Sequence, residues 1–390
     1  MKIFTAGSPS DLDIQELIAW RHELHKHPEL SGEEKETAQR VCEMLAPTKP
    51  DQLMKQLGGH GVAAVYDSGK PGLTVLFRCE LDALPIQELG SIPHRSTVAG
   101  KSHLCGHDGH SAILLGLARQ LANARPATGR VVLLFQPAEE NGVGAAAVIA
   151  DPRFVDIQPE FAFSLHNSPG TPIGVGVISS GPANCASRGI SIRLTGSTAH
   201  AAKPESGRSP MRAVARLMPA MEDFGSGGTL EADFSMITVT HASMGAVSFG
   251  VAPAEAKILA TLRTVADAKM AELCKKVEAR VKSVAQEYDL DFDIEYDDVF
   301  LACTNDAKAT QYLHSGLIQA NLEHQPQEAP HRASEDFGRF GANASSAMLF
   351  LGAGTECPQV HTPEYDFPDE LIGQGIVLFS ETLIACMKDT

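Results

Sequence analysis

The sequence has 390 residues, of which 43% are hydrophobic and 21% are charged. This length predicts two domains, and the composition is that of an ordinary globular protein without a signature of disorder. The formal net charge of -16 argues against a nucleic-acid partner, because an acidic surface repels phosphates and no basic stripe offsets it.

The N-terminal segment and the cysteines bear on the compartment. The first residues, MKIFTAGSPSDLDIQ, contain too short an apolar run for a signal peptide, and we find no apolar stretch of about 20 residues that would span a membrane. The 8 cysteines lack the paired spacing of a disulfide framework, so we expect reduced thiols. These features favour a cytoplasmic protein without a membrane partner.

The first half of the chain alternates helices and strands. A helix capped by Asp11 is predicted to break near His27-Pro28, with Arg21 on or beside its apolar face, and a second helix covers Glu33 to Leu45. The next segments are predicted to be strand, strand, helix, strand, helix and strand in turn: GVAAVYD, GLTVLFRCELDALP, His110 to Asn123, RVVLLFQP, GVGAAAVIA and EFAFSLHNSP. This order predicts an α/β domain with a mostly parallel sheet, whose ligands bind at the carboxyl ends of the strands.

The pattern of predicted helices and strands changes after Ser180. Strands such as RGISIRLTG and AKILATLRTVA then alternate with helices such as AELCKKVEARVKSVAQEY, and the α/β texture returns beyond Thr304. We therefore predict an inserted α+β domain of ferredoxin-like type at 186–302. It divides the α/β domain into 1–185 and 303–390.

Side chains that bind metals follow several predicted strands. They are Cys105 and His107 in SHLCGHDGHSA, the pair Glu139-Glu140, His166 and His361. Each is expected at the carboxyl edge of one sheet. Mixed sulfur, nitrogen and oxygen ligands suit Zn²⁺, with Mn²⁺, Co²⁺ or Ni²⁺ as alternatives. No local Cys-x-x-Cys or His-x-x-x-His closes the site, so its ligands must come from distant parts of the chain.

Each residue also has a plainer interpretation. Cys105 alone could be a buried apolar residue, and Asp108 and His110 could belong to the first turn of a helix. The two glutamates could end a solvated strand, and His166 and His361 could be hydrogen-bonded loop histidines. Spacing alone leaves a shared metal site and these alternatives equally open.

Motifs along nearly the whole chain resemble those of the M20 family of metal-dependent amidohydrolases and peptidases. The branch concerned includes hippurate hydrolases, aminobenzoyl-glutamate hydrolases and auxin-conjugate hydrolases. The motifs are, in order, RHELHKHPELSGEEKET, FRCELDALPI, HLCGHDGHSAILLG, LLFQPAEE, SLHN, GSTAHAAKP, TLRT, SEDF and VHTPEYDFPDELI. The resemblance implies two divalent metal ions with five ligands: Cys105, His107, Glu140, His166 and His361.

Glu139 then has a different role from its neighbour. A carboxylate beside a metal-bound water can take a proton from that water and pass it to the leaving nitrogen of an amide. We predict that Glu139 is the general base and acid of a hydrolase acting on N-acyl amino acids or similar small amides. Asp82, Asp108 and His110 are expected to support the ligands without binding the ions. Asp82 could also be a turn residue before Pro85, and Asp108 and His110 could be capping residues.

The inserted domain contributes two further candidates. His200 could be a loop histidine on a glycine-rich turn. The resemblance implies instead that it reaches over the metal site, commonly from a partner subunit, to help hold the carbonyl oxygen. The inserted domain would then act as a lid and form a homodimer or a higher homo-oligomer. Arg263 matches a position associated with the substrate carboxylate, and its alternative is an exposed strand cation.

The chain departs from the family pattern at four positions. Gly250 in GVAP stands where the family usually has Asn, so an amide donor to the substrate is missing. Glu205 and Ser209 stand where His and Asp are frequent, and Glu80 replaces a common Asp. Because the implied ligands are all present, we interpret these changes as altering substrate choice.

Two alternatives to the hydrolase stay open at this stage. The first is a catalytically impaired, metal-dependent small-molecule binding protein of the same fold, which the missing Asn favours. The second is a redox or nucleophilic role for the Cys105 thiol, for which His107 could serve as the paired base.

Overall fold

The fold is described from a computed structural model, which covers Phe4 and residues 9–225 and 227–388. The chain forms two compact units. The first comprises Met1–Ala183, Thr304–Glu328 and Asp336–Thr390, and the second comprises Asn184–Cys303 and Ala329–Glu335. Residues 329–335, which were predicted to belong to the first domain, are part of the second unit. The backbone N–H of Cys185 donates to the carbonyl of His331 at 2.9 Å and helps to hold them there.

Helices and strands alternate over most of the described residues. The helices are α1 (Asp11–His25), α2 (Lys35–Leu45), α3 (His107–Asn123), α4 (Gly144–Ala150), α5 (Met211–Glu222), α6 (Asp267–Glu287), α7 (Ala307–Gln319) and α8 (Glu370–Lys388). The strands are β1 (Gln52–Leu57), β2 (Gly61–Asp67), β3 (Thr74–Glu80), β4 (Arg130–Gln136), β5 (Phe161–Ser168), β6 (Gly176–Val177), β7 (Gly181–Asn184), β8 (Ala186–Thr195), β9 (Ala199–His200), β10 (Ser235–Met244), β11 (Val251–Ala252), β12 (Glu255–Thr264), β13 (Asp291–Phe300), β14 (Cys303–Asn305), β15 (His324–Gln325) and β16 (Ser345–Gly352).

The first unit is built on one large sheet with the strand order β1-β2-β4-β3-β5-β16-β6-β15. The central strands β4, β3, β5 and β16 are parallel, whereas β2 and β6 join them antiparallel. Every residue of β3 is buried, as expected for a strand covered on both faces. The prediction of an α/β fold with a mostly parallel central sheet is confirmed.

Three helices of the first unit meet close to Gly116 of α3. A Cβ atom at this position would lie 2.1 Å from Cδ1 of Ile376 in α8 and 3.3 Å from Cδ1 of Leu17 in α1. The absence of a side chain therefore lets α1, α3 and α8 approach each other within the main hydrophobic core.

Several local predictions need correction. The N-cap of α1 is Ser10 rather than Asp11, because the Ser10 hydroxyl accepts from the backbone N–H of Asp13 at 3.2 Å. Helix α3 begins at His107, earlier than the predicted His110. Strand β1 was not predicted, since QLMKQL has neither β-branched residues nor a regular alternation of apolar and polar positions.

The second unit is an α+β structure. Its antiparallel sheet has the order β10-β12-β8-β13, and helices α5 and α6 contribute to the same hydrophobic cluster as the sheet. Buried and more exposed positions alternate along β12, which is typical of a sheet with one covered face. The cluster includes Ile192 and Leu262 from the sheet and Val277 from α6.

Helix α8 is long and apolar enough to cross a membrane by length and composition, which corrects the expectation that the chain has no such stretch. More than half of its apolar stretch is buried in the protein, and Leu371, Ile376 and Leu383 belong to the main core. A buried core helix can have the same length and composition. We therefore describe α8 as a core helix of the first unit.

Candidate metal centre

The five predicted metal ligands lie together in the first unit. The Sγ of Cys105 is 3.3 Å from Nε2 of His166, and Oε1 of Glu140 is 3.4 Å from Nε2 of His361 and 3.9 Å from Nε2 of His107. Three overlapping groups have their ligand atoms within 4.8 Å of one another: Cys105, His107 and His166; Cys105, Glu140 and His361; and His107, Glu139 and Glu140.

The backbone around Gly106 places Cys105 and His107. Gly106 has a φ of 100°, which disfavours any residue with a side chain. A Cβ atom there would also lie 2.1 Å from Oδ1 of Asn167. This tight turn leads directly into α3 and brings the side chains of Cys105 and His107 to the other proposed ligands.

His361 reaches the centre from a loop that precedes α8. Its φ of 64° is in the left-handed region, and its backbone N–H donates to the carbonyl of Leu104 at 2.8 Å. Since Leu104 precedes Cys105, this hydrogen bond aligns the loop with the segment that carries the first two ligands.

The two glutamates follow β4 in a tight turn. Ala138 has a φ of 52°, and its backbone N–H donates to Oε1 of the buried Glu34 at 2.8 Å. The N–H of Gly142 donates to the carbonyl of Glu139 at 2.8 Å and closes the turn. As a result, Glu139 and Glu140 each place a carboxylate oxygen 3.9 Å from Nε2 of His107.

Asp82 orients two of the predicted ligands through its main chain and its carboxylate. Nδ1 of His107 lies 2.9 Å from the carbonyl oxygen of Asp82 and 3.3 Å from its Oδ1, while Oδ2 accepts from the N–H of Glu140 at 2.9 Å. Burial alone would lower the pKa of His107, but its hydrogen bond to Asp82 and the nearby carboxylates outweigh this effect and raise the pKa to about 10. Because Nδ1 faces Asp82, Nε2 is directed toward the ligand cluster, where a bound ion would replace its proton.

Two atoms of the cluster indicate that it suits a cation. Nε2 of His107 and Oε1 of Glu140 are buried, and neither has a hydrogen-bond partner among the described residues. Leaving buried polar atoms unsatisfied costs free energy. A divalent ion would satisfy both atoms, and the sulfur, nitrogen and oxygen donors fit Zn²⁺, Mn²⁺, Co²⁺ or Ni²⁺.

The environment of Cys105 does not favour a nucleophilic or redox thiol. Burial raises the pKa of this thiol well above its usual range, and the carboxylates of Glu140 and Glu139 raise it further. A reactive thiol needs a lowered pKa. His166 differs, because burial and the neighbouring His110 lower its pKa to about 3 and favour the neutral imidazole that binds metals.

A buried chain of hydrogen bonds connects Arg78 to the end of β5. Arg78 pairs with Glu80, the residue that replaces the usual Asp. Oε2 of Glu80 lies 2.7 Å from Nδ1 of His110, whose Nε2 lies 2.7 Å from Oδ1 of Asn167, next to His166. His110 therefore lies where a supporting residue was expected. Its partner Glu80 was not predicted, although the charged residues of FRCE within an otherwise apolar strand were a signal.

Asp108 is connected to α1 rather than to a predicted ligand. Its Oδ2 accepts from Nη1 of Arg21 at 3.1 Å and from Nδ1 of His25 at 2.8 Å. No role was predicted for either Arg21 or His25. The signal was Arg21 itself, because a charged residue on the apolar face of a helix needs a buried partner.

The two predicted residues of the inserted domain belong to the second unit. His200 is exposed in β9, where it pairs with Val251 of β11. Arg263 is partly buried in β12, and its Nη1 donates to the carbonyl of Arg332 at 2.7 Å and to Oγ of Ser334 at 3.0 Å. Arg263 is therefore not the exposed strand cation that was its alternative.

Comparisons with known proteins agree over most of the chain. Residues 76–385 match the profile of peptidase family M20/M25/M40. The chain is 28% identical to a hippurate hydrolase of Campylobacter jejuni over 384 residues, which cover 97% of this chain and 99% of the relative. It is 30% identical to an N-acetyl-L-cysteine deacetylase of Bacillus subtilis over 339 residues, which cover 87% of this chain and 80% of the relative.

Solved structures share the fold. One from methicillin-resistant Staphylococcus aureus is 26% identical, with a TM-score of 0.86 over 96% of this chain and 97% of that one. A dinuclear metal-binding peptidase of the M20 family from Bacillus subtilis is 23% identical, with a TM-score of 0.83 over 98% of this chain and 100% of that one. From the extent of the family match and the hydrolases among its relatives, the chain belongs to peptidase family M20/M25/M40 and is an amidohydrolase.

Proposed function

We propose that this amidohydrolase cleaves the amide bond of N-acyl amino acids or similar small amides. The observation that carries the proposal is the position of Glu139, whose carboxylate lies beside His107 and Glu140 in the cluster of proposed ligands. Relatives support the substrate class, because hippurate and N-acetyl-L-cysteine are both N-acyl amino acids.

The proposed cofactor is a pair of divalent ions, Zn²⁺, Mn²⁺, Co²⁺ or Ni²⁺. Cys105 and His107 each occur in two of the ligand groups, which is consistent with two neighbouring ions. The dinuclear M20 peptidase of the same fold supports this number. When bound, such ions lower the pKa of a water molecule and polarise a substrate carbonyl.

Glu139 would move the proton during hydrolysis. It is largely buried, at 6% exposure, so bulk water has little access to its carboxylate. From this position the carboxylate takes a proton from the attacking water, holds it, and delivers it to the nitrogen of the leaving amine. Asp82 keeps His107 and Glu140 in orientation through the hydrogen bonds described above.

Residues of the second unit are proposed to bind the substrate. Nη1 of Arg263 donates to Arg332 and Ser334, which orients the guanidinium, and the planar donor group of an arginine suits recognition of a carboxylate. Nδ1 of His200 accepts from the N–H of Ala202 at 3.0 Å, so a neutral ring carries its proton on Nε2. That Nε2–H group could then donate to the substrate carbonyl oxygen, in our proposal from the partner subunit.

The proposed assembly is a homodimer formed mainly through residues 186–302. Val247 and Phe249 support it, because both are large apolar side chains that are fully exposed in the single chain. Light scattering of active enzyme tests the proposal, and a monomeric mass would contradict it.

We also propose a cytoplasmic location. The 8 cysteines form no disulfide among the described residues, which suits a reducing compartment. Cell fractionation tests this, and recovery of the enzyme outside the cytoplasm would contradict it.

The central experiment measures hydrolysis of a panel of N-acyl amino acids with each of the four metals. The variant Glu139→Gln should lose about 10²- to 10⁴-fold in kcat while keeping its metals, because it loses only the proton carrier. Glu140→Gln serves as the comparison and should lose metal as well. If Glu139→Gln turns over normally, the assignment of the base is wrong. Tight binding of the panel without turnover by the fully metallated wild type would point to a binding protein.

A further inference from the structure

Arg21 of α1 is fully buried and lies between two segments that carry proposed metal ligands. Its Nη1 donates to Oδ2 of Asp108 at 3.1 Å and to Oδ1 of Asp366 at 2.8 Å, and its Nε lies 2.8 Å from Oδ1 of Asp369. Asp108 directly follows His107, whereas Asp366 and Asp369 follow His361 in the loop before α8. One guanidinium therefore joins the start of α3 to the loop of His361.

The loop also packs tightly against the first turn of α3. Tyr365 and Phe367 are each 1% exposed. A Cβ atom at Gly109 would lie 2.4 Å from the ring of Phe367, and a Cβ atom at Gly106 would lie 3.0 Å from the hydroxyl of Tyr365. These contacts hold the loop close to the first turn of the helix.

The side chain of His361 has little support of its own. It is 47% exposed, and it belongs to a single ligand group, with Cys105 and Glu140. In contrast, His107 is 1% exposed and is held by Asp82. The position of His361 therefore depends mainly on the backbone of its loop.

The charges at Arg21 make this connection specific. Three carboxylates converge on one guanidinium, and they would repel one another without it. Further contacts come from two histidines: Nε2 of His94 lies 2.8 Å from Nη2 of Arg21, and Nε2 of His22 lies 2.8 Å from Oδ2 of Asp369. Lysine has no planar fork and could not contact Asp108, Asp366 and Asp369 with the same geometry.

We propose that Arg21 is a positioning residue that sets the affinity of the metal ion bound by His361. It acts through Asp366 and Asp369 on the loop and through Asp108 on α3, without contacting the ion. The inference rests on the ligand set of the proposed function. Arg21 and Asp82 would support different ligands of the metal centre, because Asp82 acts on His107 and Glu140 whereas Arg21 acts on His361.

The test is a metal titration of the full-length enzyme with Zn²⁺ and Co²⁺ against a competing chelator. Asp366→Asn and Arg21→Lys should each weaken the affinity for one metal equivalent by about 10- to 100-fold and leave the other unchanged. Asp366 is the better first target, because its side chain is 26% exposed and its loss leaves the pair of Arg21 with Asp108 in place.

The matched control is Arg119→Lys. Arg119 also joins α3 to α1, through Asp13 and Glu16 at 2.9 Å each, but its partners are near the other end of α1 from Arg21. This variant should keep both metal affinities. Circular dichroism and thermal unfolding show whether each variant is folded. If the Arg21→Lys variant folds poorly, the result for Asp366→Asn alone decides whether the proposal holds.

A double-mutant cycle with His361→Ala distinguishes an error in the role of Arg21 from an error in the proposed set of metal ligands. If Arg21 acts through His361, Asp366→Asn should change metal affinity about 10- to 100-fold in the wild type but hardly at all when His361 is alanine. His361→Ala that keeps both ions would contradict the ligand set. His361→Ala that loses one ion while Asp366→Asn has no effect would overturn the role of Arg21 alone. Equal weakening of both ions, or fully additive effects, would show a general structural role and also overturn it.

Discussion

Asp82 holds His107 through its main-chain carbonyl as well as through its carboxylate. Nδ1 of His107 lies 2.9 Å from the carbonyl oxygen and 3.3 Å from Oδ1. The main-chain contact would persist in any variant at position 82, so substitutions there isolate what the carboxylate adds.

The variant Asp82→Asn should therefore keep the ring orientation of His107 but lose the negative charge behind it. We expect an about 10-fold loss of metal affinity, at the lower end of the range for partners of metal ligands. Titration with Zn²⁺ or Co²⁺ checks this, with Asp67→Asn at the exposed end of β2 as the control. Unchanged metal affinity would mean that the carboxylate does not tune the ligand.

The variant Cys105→Ala should impair both metal ions, because Cys105 belongs to two ligand groups. We expect metal affinity to fall by about 100-fold or more, which exceeds the loss expected for a residue that contacts a ligand without binding the ion. Metal analysis after dialysis checks this, and Cys42→Ala provides a control at another buried cysteine. Full metal content in Cys105→Ala would remove this residue from the ligand set.

The stability of the enzyme should depend on pH through His25. Burial lowers the pKa of this residue, but the nearby Asp108 carboxylate outweighs burial and raises the pKa from 6.5 to about 9. Because the folded state holds the proton more tightly, the stabilisation is fully present below pH 6.5 and is lost as the pH rises through 9. The full difference is about 3 kcal/mol.

The measurement is denaturant unfolding of the wild type and His25→Gln at pH 6 and pH 9.5. The free-energy cost of the substitution should be about 3 kcal/mol larger at pH 6 than at pH 9.5. The exposed His27 supplies the control variant His27→Gln, measured at the same two pH values. A cost for His25→Gln that does not change with pH would contradict the charged state assigned to His25.

Gly106→Ala should damage the metal centre through two separable effects. A side chain at φ 100° costs about 1–2 kcal/mol in backbone strain, and the new Cβ atom would also displace Asn167. Gly100→Ala carries only the first effect, since Gly100 has φ 72° and open space around it. We expect Gly106→Ala to lose more thermal stability than Gly100→Ala and to bind metal more weakly. Equal effects of the two substitutions would mean that the contact with Asn167 is unimportant.

The sequence was sufficient for the elements that contain strong local patterns. Continuous apolar runs predicted β3, β4 and β5, and the change of texture after Ser180 predicted the start of a second domain. The segment 329–335 escaped prediction because its place in the second unit depends on hydrogen bonds to residues far away in sequence, such as Cys185.

The candidate site was likewise predictable from the sequence only in part. The five proposed ligands came from the family resemblance, and the structure brings their side chains together. The residues behind them were harder to assign, because their functions depend on partners that no local pattern indicates. Arg21 is an example: its position on the helix suggested burial, but only the tertiary structure identifies Asp366 as its partner.

The first unit is interrupted by the second, and this order of segments has a consequence for folding. Arg21 and Asp366 are separated by 345 positions, whereas neighbouring strands of the second unit, such as β8 and β12, are much closer in sequence. Contacts between distant segments form slowly, because the chain must first close a long loop. We therefore expect the metal centre to be completed late, so that the appearance of the Co²⁺ absorption bands during refolding marks the final step rather than the collapse of either core.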